Sequence, residues 1–324
     1  MGRAYAGLGD QEKAIDAWSR AVGLEPRMAA AWLHLGIERE RAGDLEAAVA
    51  CYSRVTEIEP ETATAWNSLG VAYDQMGRHE DALKCFSLAG EVAPDSAEVW
   101  FNRGNVCVSL DDHEAAIAAY KVALRAAPED PRIWFNLGYS YGYRGEVEAA
   151  IGAYRESLRY QPTDHETWYN IGNILFDAGQ HHQAISCYGQ ALTIEPADFD
   201  SWNNMGRCLL QDGRCQEAID CFSGAIAIEP SRAELWKSLG EAWSRSGDPQ
   251  KGVECFKEAI RLEEQQASFY LNRALAYARM GATDDVLPDL KRALDLNPLL
   301  VDLLPTLKPL EYLADDPRFE QIVG

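Results

Sequence analysis

The stretch AWNSLGVAYDQMGRHEDALKCFSLAGEVAP, residues 65–94, decides the fold of this 324-residue chain. Its first half carries an apolar series with the i, i+3, i+4, i+7 spacing of one helix face: Trp66, Leu69, Gly70 and Tyr73. Its second half carries a similar series on a second helix: Ala82, Phe86 and Ala89. Gly77 suits the left-handed end of the first helix, and Pro94 cannot continue the second helix. The stretch therefore predicts a pair of helices joined by a tight turn.

This pattern recurs every 34 residues, and residues 31–60 and 133–162 align with it without a gap. Prolines occupy one repeat position: Pro26, Pro60, Pro94, Pro128, Pro162, Pro196, Pro230 and Pro298, with Glu264 in the remaining slot. Seven of the nine tryptophans occupy another: Trp32, Trp66, Trp100, Trp134, Trp168, Trp202 and Trp236, with Tyr270 in the next slot. Because one helix pair cannot bury its own apolar faces, neighbouring pairs must stack on each other.

The order Trp, Leu-Gly, Tyr, Gly, Ala, aromatic, Ala, Pro closely resembles the tetratricopeptide repeat family, and the resemblance covers residues 1 to about 300. It implies an all-α fold, an α-solenoid in which stacked helix pairs form a right-handed superhelix. It also implies that the first helix of each pair lines the inner groove.

The repeat period predicts a division into ten segments. These are a truncated first repeat (1–28), complete repeats at 29–62, 63–96, 97–130, 131–164, 165–198, 199–232 and 233–266, a degenerate repeat (267–300) and a C-terminal capping helix (301–324). The opening residues enter the pattern partway through a first helix: Gly2, Tyr5, Gly9 and Ala14 match Gly70, Tyr73, Gly77 and Ala82. We expect that the chain was cut from a longer array, and that restoring upstream residues would raise its thermal stability.

The last repeat is degenerate, as terminal repeats that face solvent often are. It departs from the pattern at four positions: Tyr270, Ala274, Pro288 and Leu290. After Pro298, residues 301–314 are predicted to form a helix that covers the last apolar face, followed by a helical turn near 316–323. The alternative is that the leucines of this segment form a docking patch.

Composition argues against several classes of function. The net charge of −21 makes nucleic acid a poor partner, because affinity for it comes mainly from Lys and Arg on phosphates. The acidic surface either keeps the protein soluble or attracts a basic partner. No apolar run is long enough to span a membrane, and no secretory signal opens the chain.

Cysteine usage predicts free thiols and a reducing, cytoplasmic location. Five of the eight cysteines share one second-helix position that elsewhere holds alanine: Cys51, Cys85, Cys187, Cys221 and Cys255. Equivalent atoms of stacked pairs lie roughly 10 Å apart, beyond disulfide reach. Cys208 and Cys215 fit no zinc spacing, and no catalytic, phosphate-binding or dinucleotide motif is present, so we expect no metal, no cofactor and no enzymatic activity.

Candidate binding residues lie on the face of the first helices opposite the core series. One position there holds asparagine in five repeats, although asparagine is a poor helix-interior residue. Beside it lie aromatic residues that could offer apolar shelves. The candidate peptide-binding groove comprises Asn102, Asn105, Asn136, Asn170, Asn173, Asn204, Asn272, Phe101, Phe135, Tyr139, Tyr143, Tyr169 and Arg207.

An asparagine side chain both donates and accepts, so it can pair with a peptide backbone without reading its sequence. The row is similar to the one that lines the repeat superhelix of O-GlcNAc transferase, which implies capture of extended client peptides. The competing interpretation is a merely polar groove, since duplication copies one residue into many repeats. A chaperone-tail clamp is not predicted, because Lys237 is followed by Glu241 four residues later, although Arg207, Arg245 and Arg279 could hold a carboxylate.

The sequence thus predicts a protein-interaction scaffold that binds an extended peptide of an unidentified partner. One alternative is the substrate-recruiting part of a larger enzyme such as a glycosyltransferase. Another is a self-assembling protein whose terminal repeats stack end to end.

Overall fold

A computed structural model describes residues 2–7 and 10–323, so the turn glycine expected at Gly9 lies outside the described residues. The described residues form nineteen α-helices and three short 3-10 turns, with no strand among them. They divide into two compact units, Met1–Pro162 and Thr163–Gly324, called here the N-terminal and C-terminal units.

Ten helices belong to the N-terminal unit. They are α1 (Gly2–Gly7), α2 (Gln11–Leu24), α3 (Ala29–Arg41), α4 (Leu45–Ile58), α5 (Ala63–Gln75), α6 (His79–Val92), α7 (Ala97–Ser109), α8 (His113–Ala126), α9 (Pro131–Tyr143) and α10 (Val147–Tyr160). Each odd-numbered helix packs against the next helix, and each pair packs against the following pair.

The C-terminal unit repeats this arrangement. Its helices are α11 (His165–Asp177), α12 (His181–Ile194), α13 (Phe199–Gln211), α14 (Cys215–Ile228), α15 (Ala233–Ser246), α16 (Pro249–Leu262), α17 (Ala267–Arg279), α18 (Thr283–Leu296) and α19 (Pro317–Val323). The prediction of an all-α fold built from tandem helix pairs is confirmed within each unit.

In every helix pair before α17–α18, a glycine of the first helix makes room for an aromatic ring of the second helix. A Cβ added to Gly70 would lie 2.8 Å from the ring of Phe86, and one added to Gly104 would lie 2.4 Å from Tyr120. Phe86 and Tyr120 are almost completely buried. The two helices of a pair therefore approach closely through the fit of a ring against bare backbone.

The periodic tryptophans and prolines are partners in one hydrogen bond. The indole N–H of Trp66 donates to the carbonyl oxygen of Pro60 at 2.8 Å, across the turn between two repeats. The same bond recurs at Trp32, Trp100, Trp134, Trp202 and Trp236, each to the proline six residues earlier. Each bond fixes the first helix of one repeat to the end of the preceding repeat.

From the pair α3–α4 onward, the turn inside each pair uses a residue with positive φ, as predicted for Gly77, whose φ is +72°. In the fourth repeat the equivalent residue is Asp111, with φ +61°. The neighbouring Asp112 caps α8, because its side chain accepts from the backbone N–H of Ala115 at 3.0 Å. Aspartate tolerates the left-handed region better than most non-glycine residues.

The C-terminal segment differs from the predicted capping helix over 301–314. It forms three 3-10 turns, at Pro298–Leu300, Leu304–Thr306 and Lys308–Leu313, before α19. Pro305 and Pro309 explain the difference, because each removes a backbone donor and disfavours the helical conformation of the preceding residue. Its apolar side chains nevertheless pack on the last helix pair, with these residues buried against α17 and α18: Leu304, Leu310, Leu313 and Phe319.

All eight cysteines lie among the described residues, and none forms a disulfide. Seven are buried and Cys215 is half-buried. Burial raises the pKa of the Cys51 thiol to about 11 and that of the Cys221 thiol to about 12. These thiols are therefore protonated, small apolar core groups at neutral pH.

Candidate functional site

The surface formed by the odd-numbered helices is called here the first-helix face, and it is described for each unit separately. No described helix has both the length and the apolar character needed to cross a lipid bilayer. Nowhere in 2–7 and 10–323 do three or more His, Cys, Asp or Glu side chains come together in a way that could hold a metal ion. Polar amides and aromatic rings remain the main candidates on these faces.

In the N-terminal unit, Asn105 on α7 connects two repeats. Its Oδ1 accepts from Nδ2 of Asn136 on α9 at 3.0 Å and from the hydroxyl of Tyr120 on α8 at 2.8 Å. Burial raises the pKa of Tyr120, so its hydroxyl stays a donor at neutral pH. Two predicted groove residues thus form part of the structure that joins the fourth and fifth repeats.

Asn102 takes part in a different bridge one repeat earlier. Its Nδ2 donates to Oδ1 of Asn67 at 3.1 Å, and Nδ2 of Asn67 donates to Oε1 of Glu98 at 3.0 Å. Asn67 lies at the repeat position where the next two repeats have Phe101 and Phe135. The sequence analysis did not predict this bridge because it compared residues at one repeat position, whereas Asn67 and Asn102 occupy adjacent repeat positions.

The C-terminal unit has an equivalent bridge, centred on Asn173 of α11. Its Oδ1 accepts from Nδ2 of Asn204 on α13 at 3.1 Å and from the hydroxyl of Tyr188 at 2.7 Å. Nδ2 of Asn204 also lies 3.3 Å from the hydroxyl of Tyr169, and Arg207 donates to Oδ1 of Asn204 at 3.3 Å. Four predicted residues are therefore brought together here.

The remaining two asparagines of the row differ from each other. Asn272 on α17 donates to Oε1 of Glu241 on α15 at 3.0 Å, and Glu241 was not predicted as a site residue. Asn170 is half-buried and makes no hydrogen bond to another side chain among the described residues of the C-terminal unit. Asn170 is thus the member of the row whose amide is least involved in the fold.

The bridges give the asparagine row a structural role in addition to its predicted binding role. Asn102, Asn136 and Asn272 each use one amide hydrogen in a bridge, which leaves the carbonyl oxygen and the second hydrogen for another partner. Asn105 and Asn173 instead accept through their carbonyl oxygens and keep their amide hydrogens. The bonds also orient the amides, so that a ligand would meet fixed rather than freely rotating groups. The row is therefore both a connection between repeats and a set of oriented polar groups.

The three predicted apolar shelves are half-buried and rest on second-helix rings. Phe101 lies 6.1 Å from Tyr120, Phe135 lies 5.5 Å from Tyr154, and Tyr169 lies 6.0 Å from Tyr188, measured between ring centroids. These separations lie in the range of favourable aromatic pairs. Each ring keeps an exposed part on the first-helix face.

Tyr139 and Tyr143 form a more exposed aromatic group, with 44% and 62% of their surfaces accessible. Tyr143 stacks on the buried ring of His113 at 4.0 Å, and His113 Nε2 lies 3.5 Å from a carboxylate oxygen of Asp111. A hydrogen bond with Asp111 raises the pKa of the Tyr143 hydroxyl. The sequence analysis did not predict Asp111 or His113 as site residues. The signal for them was that Asp111 occupies a turn position that holds glycine in the other repeats.

A shallow polar cavity of about 310 Å³ opens between α13 and α15 in the C-terminal unit. Its lining includes three cationic side chains, Arg207, Arg232 and Lys237, together with Asn203 and Ser238. The guanidinium groups rest on aromatic rings, with Arg207 over Phe176 at 4.8 Å and Arg232 over Phe199 at 4.4 Å.

Comparisons with known families point to one class of protein. The model described as the cilia and flagella-associated protein 70 C-terminal domain matches residues 87–297. Tetratricopeptide repeat models match residues 1–37, 41–77 and 63–96. No curated protein sequence matches the chain at a significant level.

Three solved structures are similar in fold. The C-terminal part of a TPR repeat-containing protein from Cytophaga hutchinsonii is 15% identical with a TM-score of 0.64, over 74% of this chain and 98% of that one. YrrB, described as a TPR protein with an unusual peptide-binding site, is 20% identical with a TM-score of 0.53, over 58% and 97%. MamA is 24% identical with a TM-score of 0.51, over 54% and 96%.

Proposed function

The chain belongs to the family of tetratricopeptide repeat domains described by the C-terminal domain of cilia and flagella-associated protein 70, and from this premise we propose that it is a protein-interaction scaffold. Its ligand is an extended peptide segment of a partner protein, bound along the first-helix faces. The observation that carries the proposal is the set of side-chain amides at one repeat position, of which Asn136, Asn204 and Asn272 are oriented by hydrogen bonds to a neighbouring repeat.

The spacing of the row suits an extended peptide. Stacked helix pairs place equivalent side chains roughly 10 Å apart, and an extended chain advances about 3.3 Å per residue. One asparagine therefore meets about every third peptide residue. An amide that donates and accepts can pair with both the N–H and the C=O of such a backbone.

The half-exposed rings of Phe101, Phe135 and Tyr169 support the proposal, since they offer apolar area beside the amides. YrrB shares the fold and is described as having an unusual peptide-binding site, which makes a peptide the first ligand to test here. Affinity on this interpretation is distributed over many modest contacts, each worth about 1 kcal/mol.

The test begins with a displayed library of twelve-residue peptides selected on the immobilised chain. Dissociation constants of the enriched peptides are then measured by fluorescence anisotropy for three proteins. Asn170→Ala removes the amide that makes no described bond, and the combined Asn136→Ala, Asn170→Ala, Asn204→Ala variant removes three amides. Gln216→Ala is the control, because it removes an exposed amide from the second helix α14.

We expect Asn170→Ala to weaken binding about fivefold, the equivalent of about 1 kcal/mol, and the triple variant to weaken it further. Gln216→Ala should bind like the wild type. Circular dichroism must show unchanged helix content, since Asn136 and Asn204 also connect repeats. Failure to enrich any peptide, or equal binding by wild type and Asn170→Ala, would contradict the proposal.

A further inference from the structure

Three arginines lie on the first-helix face of the C-terminal unit: Arg207 on α13, Arg245 on α15 and Arg279 on α17. Arg245 and Arg279 occupy equivalent positions of successive repeats, on helices that contact each other. The pKa of Arg279 is lowered by withdrawal of its guanidinium from water and by the positive charge of Arg245. Two like charges are therefore held near each other at this place.

Neither charge is neutralised within the described residues, where no carboxylate lies within 4.0 Å of Arg245 or Arg279. The carboxylate that opposes the lowered pKa of Arg279 is Glu241, and its Oε1 accepts from Asn272 at 3.0 Å. Two arginines on second helices of the same unit have carboxylate partners, Arg261 with Glu258 and Arg292 with Glu264. In a chain of net charge −21, two neighbouring arginines without such a partner leave local positive charge on this face.

Arg207 lies one repeat earlier, on α13, and lines the cavity between α13 and α15. Two acidic side chains also line this cavity: Glu234 pairs with Lys237, and burial, together with the charge of Asp198, raises the pKa of Asp200. Stacking on Phe176 holds the Arg207 guanidinium in a defined plane. A planar guanidinium held in this way presents paired N–H donors that match the two oxygens of a carboxylate.

We propose that Arg207, Arg245 and Arg279 select an acidic segment, whose Asp and Glu side chains pair with these guanidiniums while its backbone follows the asparagine row. The inference rests on the proposed peptide-binding function and adds the chemical class of the ligand. It assigns recognition to side-chain carboxylates along the segment rather than to a terminal carboxylate.

The probe is a fluorescein-labelled, C-terminally amidated peptide of twelve residues with four glutamates in a Gly-Ser-Ala host. The matched probe has glutamine in place of each glutamate. Anisotropy is measured for wild type, for the Arg245→Gln, Arg279→Gln variant and for a control that carries Arg261→Gln and Arg292→Gln. The control makes the same change of net charge on α16 and α18, which are second helices of the same unit.

We expect the glutamate peptide to bind wild type at least tenfold more tightly than the glutamine peptide, and this preference to shrink as sodium chloride rises. The Arg245→Gln, Arg279→Gln variant should lose most of the preference, and the control variant should keep it. Equal affinity for the two peptides would overturn the proposal. An equal loss of the preference in the control variant would also overturn it, because the preference would then depend only on net charge.

Two other outcomes separate this inference from the function it rests on. If the glutamine peptide binds as tightly as the glutamate peptide and loses affinity in Asn170→Ala, peptide binding stands and acidic selection is overturned. If neither peptide binds, acidic selection is overturned, and the library selection decides peptide binding separately. A glutamate-free peptide with a free C-terminal carboxylate that matches the glutamate peptide would overturn the assignment to side chains.

Discussion

Gly70 is constrained by the ring beside it, since its Cβ would lie 2.8 Å from Phe86. In the last repeat the equivalent pair is Ala274 and Leu290, both fully buried. The chain thus contains two solutions to the same packing problem, a glycine against an aromatic ring and an alanine against a leucine. A larger residue at one position is compatible only with a smaller residue at the other.

We predict that Gly70→Ala lowers the free energy of unfolding by about 1 kcal/mol, because the overpacking cost exceeds the gain in helix propensity. Adding Phe86→Leu should recover part of this loss, because it recreates the Ala274–Leu290 arrangement. Urea denaturation of the two single variants and the double variant measures the coupling. Strict additivity would contradict the steric explanation.

The turn glycines are constrained by backbone conformation instead. A Cβ on Gly77 would meet nothing within 4 Å, but its φ is +72°. We predict that Gly77→Ala destabilises the protein by about 1 kcal/mol. Gly152→Ala is the matched control, since Gly152 also has open space but lies inside α10, where alanine should stabilise by about 0.5–1 kcal/mol. Thermal melts showing the same sign for both variants would contradict this reasoning.

At the scale of an element, the junction between repeats depends on the bond between the Trp66 indole and the Pro60 carbonyl. We predict that Trp66→Phe lowers the free energy of unfolding by about 1 kcal/mol, because the indole–carbonyl hydrogen bond and some packing are lost. Urea denaturation measures the change. A Trp66→Phe variant as stable as wild type would show that the bond contributes nothing to the junction.

The last helix pair of the C-terminal unit depends on the segment that follows it. Leu310 is 1% exposed and packs in a cluster with Leu290 and Phe319. We predict that Leu310→Ala costs about 2–4 kcal/mol through lost apolar burial and a residual cavity. Leu299→Ala is the control, because Leu299 is 85% exposed and should change stability little. Equal melting temperatures for the two variants would contradict a packing role.

Much of this fold could be predicted because the same packing positions recur in every repeat, as Trp66, Gly70 and Ala82 illustrate. The Trp66–Pro60 bond could not be predicted, since spacing does not reveal that a side chain donates to a backbone carbonyl. The Asn105–Asn136 bridge was hidden for a related reason, because its partners occupy different repeat positions. The C-terminal turns were not predicted because the leucine spacing in this segment is typical of a helix, although Pro305 and Pro309 interrupt it.

At the scale of the whole molecule, buried thiols link stability to alkaline pH. Burial raises the pKa of Cys51, Cys85 and Cys255 from 9.0 to about 11, and that of Cys221 to about 12. Above pH 9 the unfolded chain loses thiol protons that the folded chain keeps, so the unfolded state is favoured. The contribution of these thiols to the free energy of unfolding is fully present below pH 9 and is lost as the pH rises towards 11–12.

We predict a fall in the free energy of unfolding above pH 9, of up to about 1.4 kcal/mol per pH unit for each thiol. Replacing these four cysteines with alanine should flatten the slope between pH 9 and 10. Alanine already occupies this position at Ala119 and Ala153, which are both buried. Urea unfolding at pH 8, 9 and 10 gives the slopes, and identical slopes for both proteins would contradict thiol linkage.

The indole–carbonyl bond has a consequence for the order of the repeats. Its acceptor is a backbone oxygen and its donor an indole, so a repeat that ends in proline can precede another that begins with tryptophan and form the same junction. With respect to this bond such repeats are equivalent, whereas the side-chain bridges differ between junctions, as Asn136 with Asn105 and Asn272 with Glu241 illustrate. The repeat that begins with Tyr270 follows Glu264 instead of proline and lacks the indole that donates this bond.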